Sequence, residues 1–166
     1  DQSSARRRTF DLRQTVEEML VTLRLTFKNT RHRIEVEIPG GLTMDSYPGP
    51  LEQVIGNLVA NSLAHGFVGI DEGRVELHAR PLADTHLELR YTDNGVGIAS
   101  ETLHRIFEPF FTTHLGQGGS GLGLYIVYNL VTGVLGGTIE VASSPGGGTV
   151  FTLLLPRTAP ERGAAA

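Results

Sequence analysis

The feature that most constrains this chain is an alternating strand that runs into an acidic residue and two glycines. Apolar and polar residues alternate over residues 85–92, which predicts a strand with one buried face. The same alternation places Asp93 on the buried side, where a carboxylate is costly unless a donor needs it. Gly95 and Gly97 then let the backbone come close to a flat ligand. An acceptor beside such glycines suits a nucleotide base with an exocyclic amine, although an Asn-Gly turn that ends a strand explains this stretch alone equally well.

Composition excludes several classes of protein. The 166 residues fit one domain with a proper core. A net charge of −4 gives no support for a nucleic-acid partner, and the lack of cysteine excludes disulfides and zinc-thiolate sites. No apolar run reaches membrane-spanning length, so we expect no direct membrane contact. The chain opens on Asp1 without a signal peptide, which suggests a fragment of a longer protein.

Hydrophobic periodicity predicts both helices and strands. The predicted helices span residues 10–29, 50–65 and 119–131, with a short helical turn at 100–105. The predicted strands span residues 31–38, 42–46, 73–80, 85–92, 138–142 and 148–155. We expect strand 42–46 to pair with strand 31–38, and the four later strands to form two hairpins. His32 falls on the polar face of its strand and is expected to be solvated.

Two asparagines on the predicted helix 50–65 lie one turn apart. Asn57 and Asn61 stack on one face beside the apolar stripe, although asparagine is a weak helix former. They are either plain surface residues or a pair of amide oxygens offered to a hard cation such as Mg²⁺. His65, one turn further, either reaches the same site or caps the end of the helix.

The connection over residues 106–121 combines three phenylalanines with a glycine-rich tract. A connection of this length without regular structure is either disordered or a working lid, and its aromatic residues favour a lid over disorder or a buried corner. The tract 119–124 opens the next helix, where free N–H groups and the helix dipole favour phosphate. It is neither a dinucleotide fingerprint nor a Walker loop, since it lacks a preceding parallel strand and a Gly-Lys-Ser/Thr sequence.

Four motifs in this order resemble those of the catalytic, ATP-binding domain of sensor histidine kinases. That superfamily also includes type II topoisomerases, mismatch-repair ATPases and a class of chaperones. Residues 57–62 (NLVANS) resemble the Asn box, and residues 93–98 (DNGVGI) resemble the first Gly box. Residues 107–111 (FEPFF) resemble the Phe box, and residues 119–124 (GSGLGL) resemble the second Gly box. The pair at 148–149 before the last strand fits the closing Gly-Thr element.

The resemblance implies a fold and a division of the chain. The expected fold is an α/β two-layer sandwich, in which a mixed, mostly antiparallel sheet of about five strands packs on three helices, with a mobile ATP lid. The ATP-binding domain would span residues 10–156. Residues 1–9 would be a linker from a missing upstream helical domain that dimerises and carries the phosphoacceptor. Residues 157–166 are expected to form a disordered tail.

The resemblance also implies roles for individual residues. Asp93 accepts a hydrogen bond from the adenine amino group, and Gly95 and Gly97 allow the base to lie close. Thr149 backs the adenine pocket through a water, and Asn61 holds Mg²⁺ with Asn57 beside it. The residues expected to bind the cofactors ATP and Mg²⁺ are Asn57, Asn61, Asp93, Gly95, Gly97, Ile98, Thr113, Gly119, Ser120, Gly121, Leu122, Gly123, Leu124 and Thr149. Asn57 and His65 are the expected catalytic residues.

The chain departs from the family pattern where the phosphates would lie. Many members carry a lysine one turn after the Asn box, but this chain has Ala64 there, followed by His65. Many also carry a lysine in the lid, where this chain has His114. A phosphate contact is therefore missing or passes to His65, Arg105 or His114.

The activity implied by the resemblance is that of a protein histidine kinase in two-component signalling. The γ-phosphoryl group of Mg²⁺-ATP would pass to a histidine on the upstream helices, contacted through Phe107, Phe110 and Phe111, and then to an aspartate of a receiver domain. The fragment would act in the cytoplasm, would not be competent without the acceptor domain, and would have no nucleic-acid partner. The alternatives are a superfamily ATPase, a non-catalytic nucleotide-binding interaction module and an anti-sigma-type serine kinase. Asn57 stands where the ATPases have a general base, and the Phe box argues against the serine kinase.

Overall fold

A mixed five-stranded sheet is the scaffold of the computed structural model, which describes residues 6–112 and 121–162. The strands are β1 (Arg8–Asp11), β2 (Arg33–Glu37), β3 (Thr43–Ser46), β4 (Arg74–Leu82), β5 (His86–Asp93), β6 (Thr138–Ser143) and β7 (Thr149–Pro156). The helices are α1 (Leu12–Thr26), α2 (Pro48–Asn61), α3 (Ser100–Leu103) and α4 (Gly123–Asn129). The sheet order is β2-β4-β5-β7-β6, in which β2 and β4 are parallel and the other neighbours are antiparallel.

One hydrophobic core lies between this sheet and the helices. Leu87, Leu89 and Tyr91 point into it from alternate positions of β5, as the sequence predicted, and are essentially unexposed. The helices contribute apolar stripes, including Val16 and Leu20 from α1. The two-layer α/β sandwich is therefore confirmed, and so are both hairpins, β4 with β5 and β6 with β7. Among the described helices, none combines the length and apolar character that crossing a bilayer requires.

The pairing predicted for residues 42–46 is wrong. Strand β3 pairs with β1 in a separate antiparallel ribbon, whereas the edge strand β2 pairs with β4. Asp11 explains the arrangement, because its carboxylate accepts from the Gln14 N–H at 3.0 Å and from the Gly41 N–H at 3.0 Å. It thus caps α1 and holds the turn before β3 beside the end of β1. The first helix accordingly begins at Leu12, and residues 8 and 9, expected in a linker, lie in β1.

The chain after β7 is also ordered where a disordered tail was expected. Thr158 forms a parallel bridge with Asp45, and the Asp45 N–H donates to the Arg157 carbonyl oxygen at 2.7 Å. Ala159 is buried, and the Tyr47 hydroxyl donates to the Pro160 carbonyl oxygen at 2.7 Å. Disorder is therefore wrong for these residues, because their backbone groups find partners on the β1–β3 ribbon. Residues 163–166 lie outside the described residues.

A π-helical turn over Ser62–Gly66 continues α2, and a second one over Leu130–Val134 continues α4. Single π turns inside helices often lie at functional sites. The first one leads into a loop in which the Gly73 N–H donates to Nδ1 of His32 at 2.8 Å, and the His32 ring lies 4.7 Å from that of Phe67. The prediction of a solvated His32 is therefore wrong, because its ring holds this loop.

Candidate functional site

A cavity of about 350 Å³ opens between α2, the end of β5 and the beginnings of α4 and β7. Ligand sites commonly measure about 300–1,000 Å³. The predicted site residues that line it are Asn57, Asn61, His65, Asp93, Gly97, Ile98, Gly121, Gly123, Leu124 and Thr149. Two others, Gly95 and Leu122, lie beside it in the chain without lining it. Thr113, Gly119 and Ser120 lie outside the described residues, together with the rest of residues 113–120 of the predicted lid 106–121.

Asp93 is the buried acid of this cavity. It ends β5, is 4 % exposed and lies on the core face, as the strand alternation predicted. One carboxylate oxygen accepts from the Ser62 hydroxyl at 2.7 Å, and the other accepts from the Gly95 N–H at 3.0 Å. Each oxygen keeps a further lone pair, because a carboxylate has about four acceptor sites. Asp93 can therefore accept a hydrogen bond from a ligand without losing its internal partners.

The hydrogen bonds of Asp93 extend into the core through two residues that the sequence reasoning missed. The Ser62 and Tyr91 hydroxyls lie 2.8 Å apart, and the Tyr91 hydroxyl also lies 3.2 Å from the Leu58 carbonyl oxygen. Burial raises the pKa of the Tyr91 phenol well above its usual range, helped by the Asp93 charge and opposed by the Ser62 hydrogen bond. The phenol therefore remains a donor. Tyr91 could have been found from the strand alternation, since it shares the face of Asp93.

The two glycines after Asp93 are required by contacts within the chain. Gly97 has φ +77°, and a Cβ on it would lie 1.9 Å from the Ser144 carbonyl oxygen. A Cβ on Gly95 would lie 2.5 Å from the Gly66 carbonyl oxygen. The backbone of the 93–98 loop is therefore pressed against the π turn on one side and the β6–β7 turn on the other. Room for a flat base was the reason expected from the sequence, but neighbouring backbone occupies these positions.

Ser143 joins the same loop to the beginning of β7. The Ile98 N–H donates to Oγ of Ser143 at 2.8 Å, and the Ser143 hydroxyl donates to the Gly148 carbonyl oxygen at 2.7 Å. The Thr149 hydroxyl lies 2.9 Å from that of Ser143 and faces the cavity at a buried position. Ile98 and Thr149, predicted from separate motifs, are thus neighbours in one wall.

Asn57 and Asn61 both line the cavity from α2, in agreement with the shared helix face that their four-residue spacing predicted. The Asn57 side-chain amide donates to the Gly123 carbonyl oxygen at 3.2 Å, which links α2 to the first residue of α4. His65 also lines the cavity, beside Ala64. Among the described residues, no group of three histidine, cysteine, aspartate or glutamate side chains could hold a metal ion. A cation here would therefore depend on amide oxygens together with ligands brought by a bound molecule.

The three phenylalanines of the aromatic segment occupy different environments. Phe107 packs inward, with ring centroids 5.5 Å from Tyr128 and 6.4 Å from Phe151. Phe111 lines the cavity and lies beneath the Arg105 guanidinium, whose carbon is 4.3 Å from the ring centroid. Phe110 is 70 % exposed and has a left-handed backbone with φ +64°. The segment therefore has one anchoring ring, one cavity ring and one ring presented to solvent.

The comparison with protein families agrees with this geometry. Residues 46–159 match the model of the histidine kinase-, DNA gyrase B- and HSP90-like ATPases. The chain belongs to this family. Within it, the chain is homologous to the catalytic domains of sensor histidine kinases, and its structural neighbours are histidine kinase catalytic domains.

Individual sensor kinases are similar to the chain in sequence and in structure. It is 39 % identical over 146 residues to the autoinducer 2 sensor kinase/phosphatase LuxQ of Vibrio harveyi, a match that covers 82 % of this chain and 16 % of LuxQ. It is 39 % identical over 127 residues to the sensor histidine kinase RcsC of Escherichia coli K12, covering 74 % of this chain and 12 % of RcsC. The catalytic domain of histidine kinase ThkA superposes with a TM-score of 0.77 at 27 % identity, covering 90 % of this chain and 95 % of that domain. The chain thus spans less than a fifth of the length of these two curated relatives.

Proposed function

We propose that this chain is the ATP-binding catalytic domain of a sensor histidine kinase. It binds Mg²⁺-ATP and donates the γ-phosphoryl group to a histidine on a separate helical domain. In that transfer the bond between the γ-phosphorus and the bridging oxygen breaks, a bond to an imidazole nitrogen forms, and ADP leaves. The observation that carries the proposal is the buried Asp93, which accepts from Ser62 and Gly95 and also lines a cavity shared with Asn57 and Asn61.

Asp93 would recognise the adenine end of the nucleotide. Its carboxylate accepts two internal hydrogen bonds and has lone pairs left for the 6-amino group of the base. Ile98, Ile106 and Leu124 contribute apolar surface to the same cavity, which suits the faces of a purine. Thr149 lies in the wall nearby, where its hydroxyl would bind a water beside the base.

Asn57 and Asn61 would serve the phosphate end. Their amide oxygens are hard ligands that suit Mg²⁺, and the ion would take its remaining ligands from phosphates and water. Bound Mg²⁺ supplies charge neutralisation for the transferring phosphoryl group. His65 follows Ala64 where the family often has a lysine, so we assign the missing phosphate contact to the His65 imidazole. Residues 119–124 would cradle the phosphates; of the described residues 121–124, the cavity is lined by Gly121, Gly123 and Leu124.

A kinase is favoured over a hydrolytic ATPase by the chemistry of Asn57. The ATPases of this superfamily, which the chain resembles, have a glutamate general base at the position of Asn57. An amide cannot take a proton from water, and the Asn57 amide already donates to the Gly123 carbonyl oxygen. The γ-phosphoryl group would therefore wait for an external acceptor rather than react with water activated at Asn57.

The acceptor and the later partner would lie outside this chain. None of the six histidines has the His-Glu/Asp helical context of a phosphoacceptor. Phe110 is the exposed aromatic residue of the Phe box, so it would contact the acceptor helices, while Phe107 and Phe111 hold the segment in place. A receiver-domain aspartate would take the phosphoryl group from those helices, in the cytoplasm.

A phosphotransfer assay tests the proposal. The chain is mixed with a helical hairpin segment carrying the acceptor histidine of its own full-length protein, together with Mg²⁺-ATP labelled at the γ-phosphate. We expect acid-labile label on the helical segment, and none when its acceptor histidine is replaced by glutamine. Label released only as inorganic phosphate would support the ATPase instead. Nucleotide binding without transfer or release would support a non-catalytic interaction module.

A further inference from the structure

We infer that Tyr91 is a positioning residue for base selection, which acts through Ser62 to keep Asp93 an acceptor and so favours 6-amino over 6-oxo purines. The inference rests on the proposed function, because it assumes that Asp93 faces a purine. Neither Tyr91 nor Ser62 lines the cavity, so both would act on the ligand only through Asp93. Ser62 and Tyr91 hold the Asp93 carboxylate in place, while Asp93 itself would contact the base.

The direction of the hydrogen bonds follows from counting protons. The Asp93 carboxylate can only accept, so the Ser62 hydroxyl donates its single proton to Asp93 at 2.7 Å. The contact of 2.8 Å between Ser62 and Tyr91 must then be a bond donated by the Tyr91 phenol. The Leu58 carbonyl oxygen, at 3.2 Å from the phenol, is the more distant acceptor of the same proton. The chain of donors therefore runs from Tyr91 to Ser62 to Asp93.

Burial makes this order of donors hard to reverse. Tyr91 is 0 % exposed, Ser62 is 1 % exposed and Asp93 is 4 % exposed, so solvent offers no substitute partner. The Tyr91 ring is fixed in the core beside Phe151, with centroids 6.3 Å apart. A phenol held in this way keeps donating to Ser62, and each hydrogen bond in such a chain polarises the next. The Ser62 hydroxyl therefore stays turned toward Asp93.

The order of donors discriminates between purines. A 6-amino group donates to Asp93, whereas a 6-oxo group would bring an acceptor against an acceptor and leave both unpaired. The 6-oxo base could be accommodated if the Asp93 carboxylate moved away from it. Ser62 opposes this movement through its hydrogen bond to the carboxylate, and Tyr91 opposes it by holding Oγ of Ser62 in place. Removal of the phenol oxygen should therefore relax selectivity more than it weakens packing.

The test compares ADP with inosine diphosphate, which carries a 6-oxo group, by titration calorimetry at fixed Mg²⁺. Tyr91→Phe removes only the hydroxyl, Ser62→Ala removes the intermediate hydroxyl, and Tyr128→Phe is the matched control at an exposed position outside the cavity. We expect the Kd of inosine diphosphate divided by the Kd of ADP to fall about three- to tenfold in Tyr91→Phe, which is the scale of one net hydrogen bond. Ser62→Ala should lower the ratio at least as far, the double variant no further than Ser62→Ala, and the control not at all.

Three results would decide the matter. A reduced ratio in both variants with an unchanged control supports the inference. An unchanged ratio, or a parallel loss of affinity for both nucleotides, overturns it, since a merely structural role would affect both equally; Ser62→Ala decides if Tyr91→Phe does not fold. Failure of the unmodified chain to bind either nucleotide overturns the proposed function itself, and this outcome is distinct because it appears before any substitution is made.

Discussion

The side-chain amide of Asn57 donates a hydrogen bond to the carbonyl oxygen of Gly123, which lies 66 residues further along the chain. This bond joins α2, which carries the asparagine pair, to the first residue of α4, which opens from the glycine tract. Two motifs that are distant in sequence are thereby held on adjacent walls of one cavity. The bond uses one of the two N–H groups of the amide, so the amide oxygen can still accept a hydrogen bond or bind a cation.

Replacement of Asn57 by alanine should destabilise the domain. The Gly123 carbonyl oxygen would lose its side-chain donor in a partly buried place, and we expect the free energy of unfolding to fall by about 0.5–1.5 kcal/mol. Asn57→Asp should cost more, because a carboxylate would face a carbonyl oxygen. Chemical denaturation measures both, and Asn129→Ala at an exposed position of α4 is the control. Equal stability of Asn57→Ala and the unmodified chain would show that this bond contributes nothing.

Replacement of Asn61 by alanine should act on the metal and spare the fold. Asn61 lines the cavity with a partly exposed side chain, and its role in the proposal is to offer an oxygen to Mg²⁺. We expect the Mg²⁺-dependent part of ATP affinity to disappear in Asn61→Ala, while affinity without Mg²⁺ stays unchanged. Titration of ATP with and without Mg²⁺ measures this directly. An unaltered response to Mg²⁺ would assign the ion to other ligands.

Replacement of Phe110 by glycine should stabilise the domain and slow phosphoryl transfer to the acceptor helices. A left-handed backbone costs a non-glycine residue about 1–2 kcal/mol in the folded state. Glycine removes this strain, and the extra conformational entropy that glycine loses on folding costs less than the strain. The ring is 70 % exposed, so little packing is lost, and a net gain of about 0.5–1 kcal/mol is expected. Thermal unfolding measures the gain, while transfer to the acceptor helices should slow at unchanged ADP affinity. Faster or equal transfer would contradict a role for Phe110 in docking.

Glu88 should make the stability of the domain depend on pH. It lies on the polar face of β5, but hydrogen bonds from Arg80 and Arg90 cover it, and the Arg80 bond is the main cause that lowers its pKa. A carboxyl whose pKa is lower in the folded than in the unfolded state stabilises the fold above its ordinary pKa of about 4.5, and the effect is lost as pH falls through the lowered value.

Glu88→Gln should therefore lower the free energy of unfolding by about 0.5–1 kcal/mol near pH 7, a modest value because both arginines are more than half exposed. The difference from the unmodified chain should disappear as pH falls through the lowered pKa of Glu88. Denaturation at a series of pH values measures it, with Glu35→Gln at an exposed position of β2 as the control. A difference that persists at low pH would assign the effect to packing.

The local parts of this molecule were predictable from the sequence, because each depends on a short repeating pattern. The alternation over β5 placed Asp93 correctly on the core face, and both hairpins followed from turns between alternating strands. The four-residue spacing placed Asn57 and Asn61 on one wall of the cavity. The four motifs together were specific enough to indicate the family, whereas each one alone was ambiguous.

Contacts between distant segments were not predictable in this way. The four-residue strand β1 is too short to show a period, so its pairing with β3 went unseen and β3 was assigned the nearer partner. The residues after Pro156 have no apolar repeat, yet Ala159 is buried on the ribbon. The Ser62 hydroxyl reaches Asp93 from the π turn, which is a different element from β5. Each of these depends on tertiary packing that no local pattern records.

The most direct test of the central claim is the affinity of Asp93→Asn for ADP. Asparagine keeps the size of the side chain but turns an NH₂ group toward Ser62, Gly95 or the ligand, and so places a donor against a donor. Asp84→Asn, in the exposed turn between β4 and β5, makes the same chemical change outside the cavity and is the control. Titration calorimetry measures both variants beside the unmodified chain. We predict that Asp93→Asn weakens ADP binding by about 1–3 kcal/mol while Asp84→Asn has no effect; equal affinity of Asp93→Asn and the unmodified chain would contradict the assignment of this cavity to an adenine nucleotide.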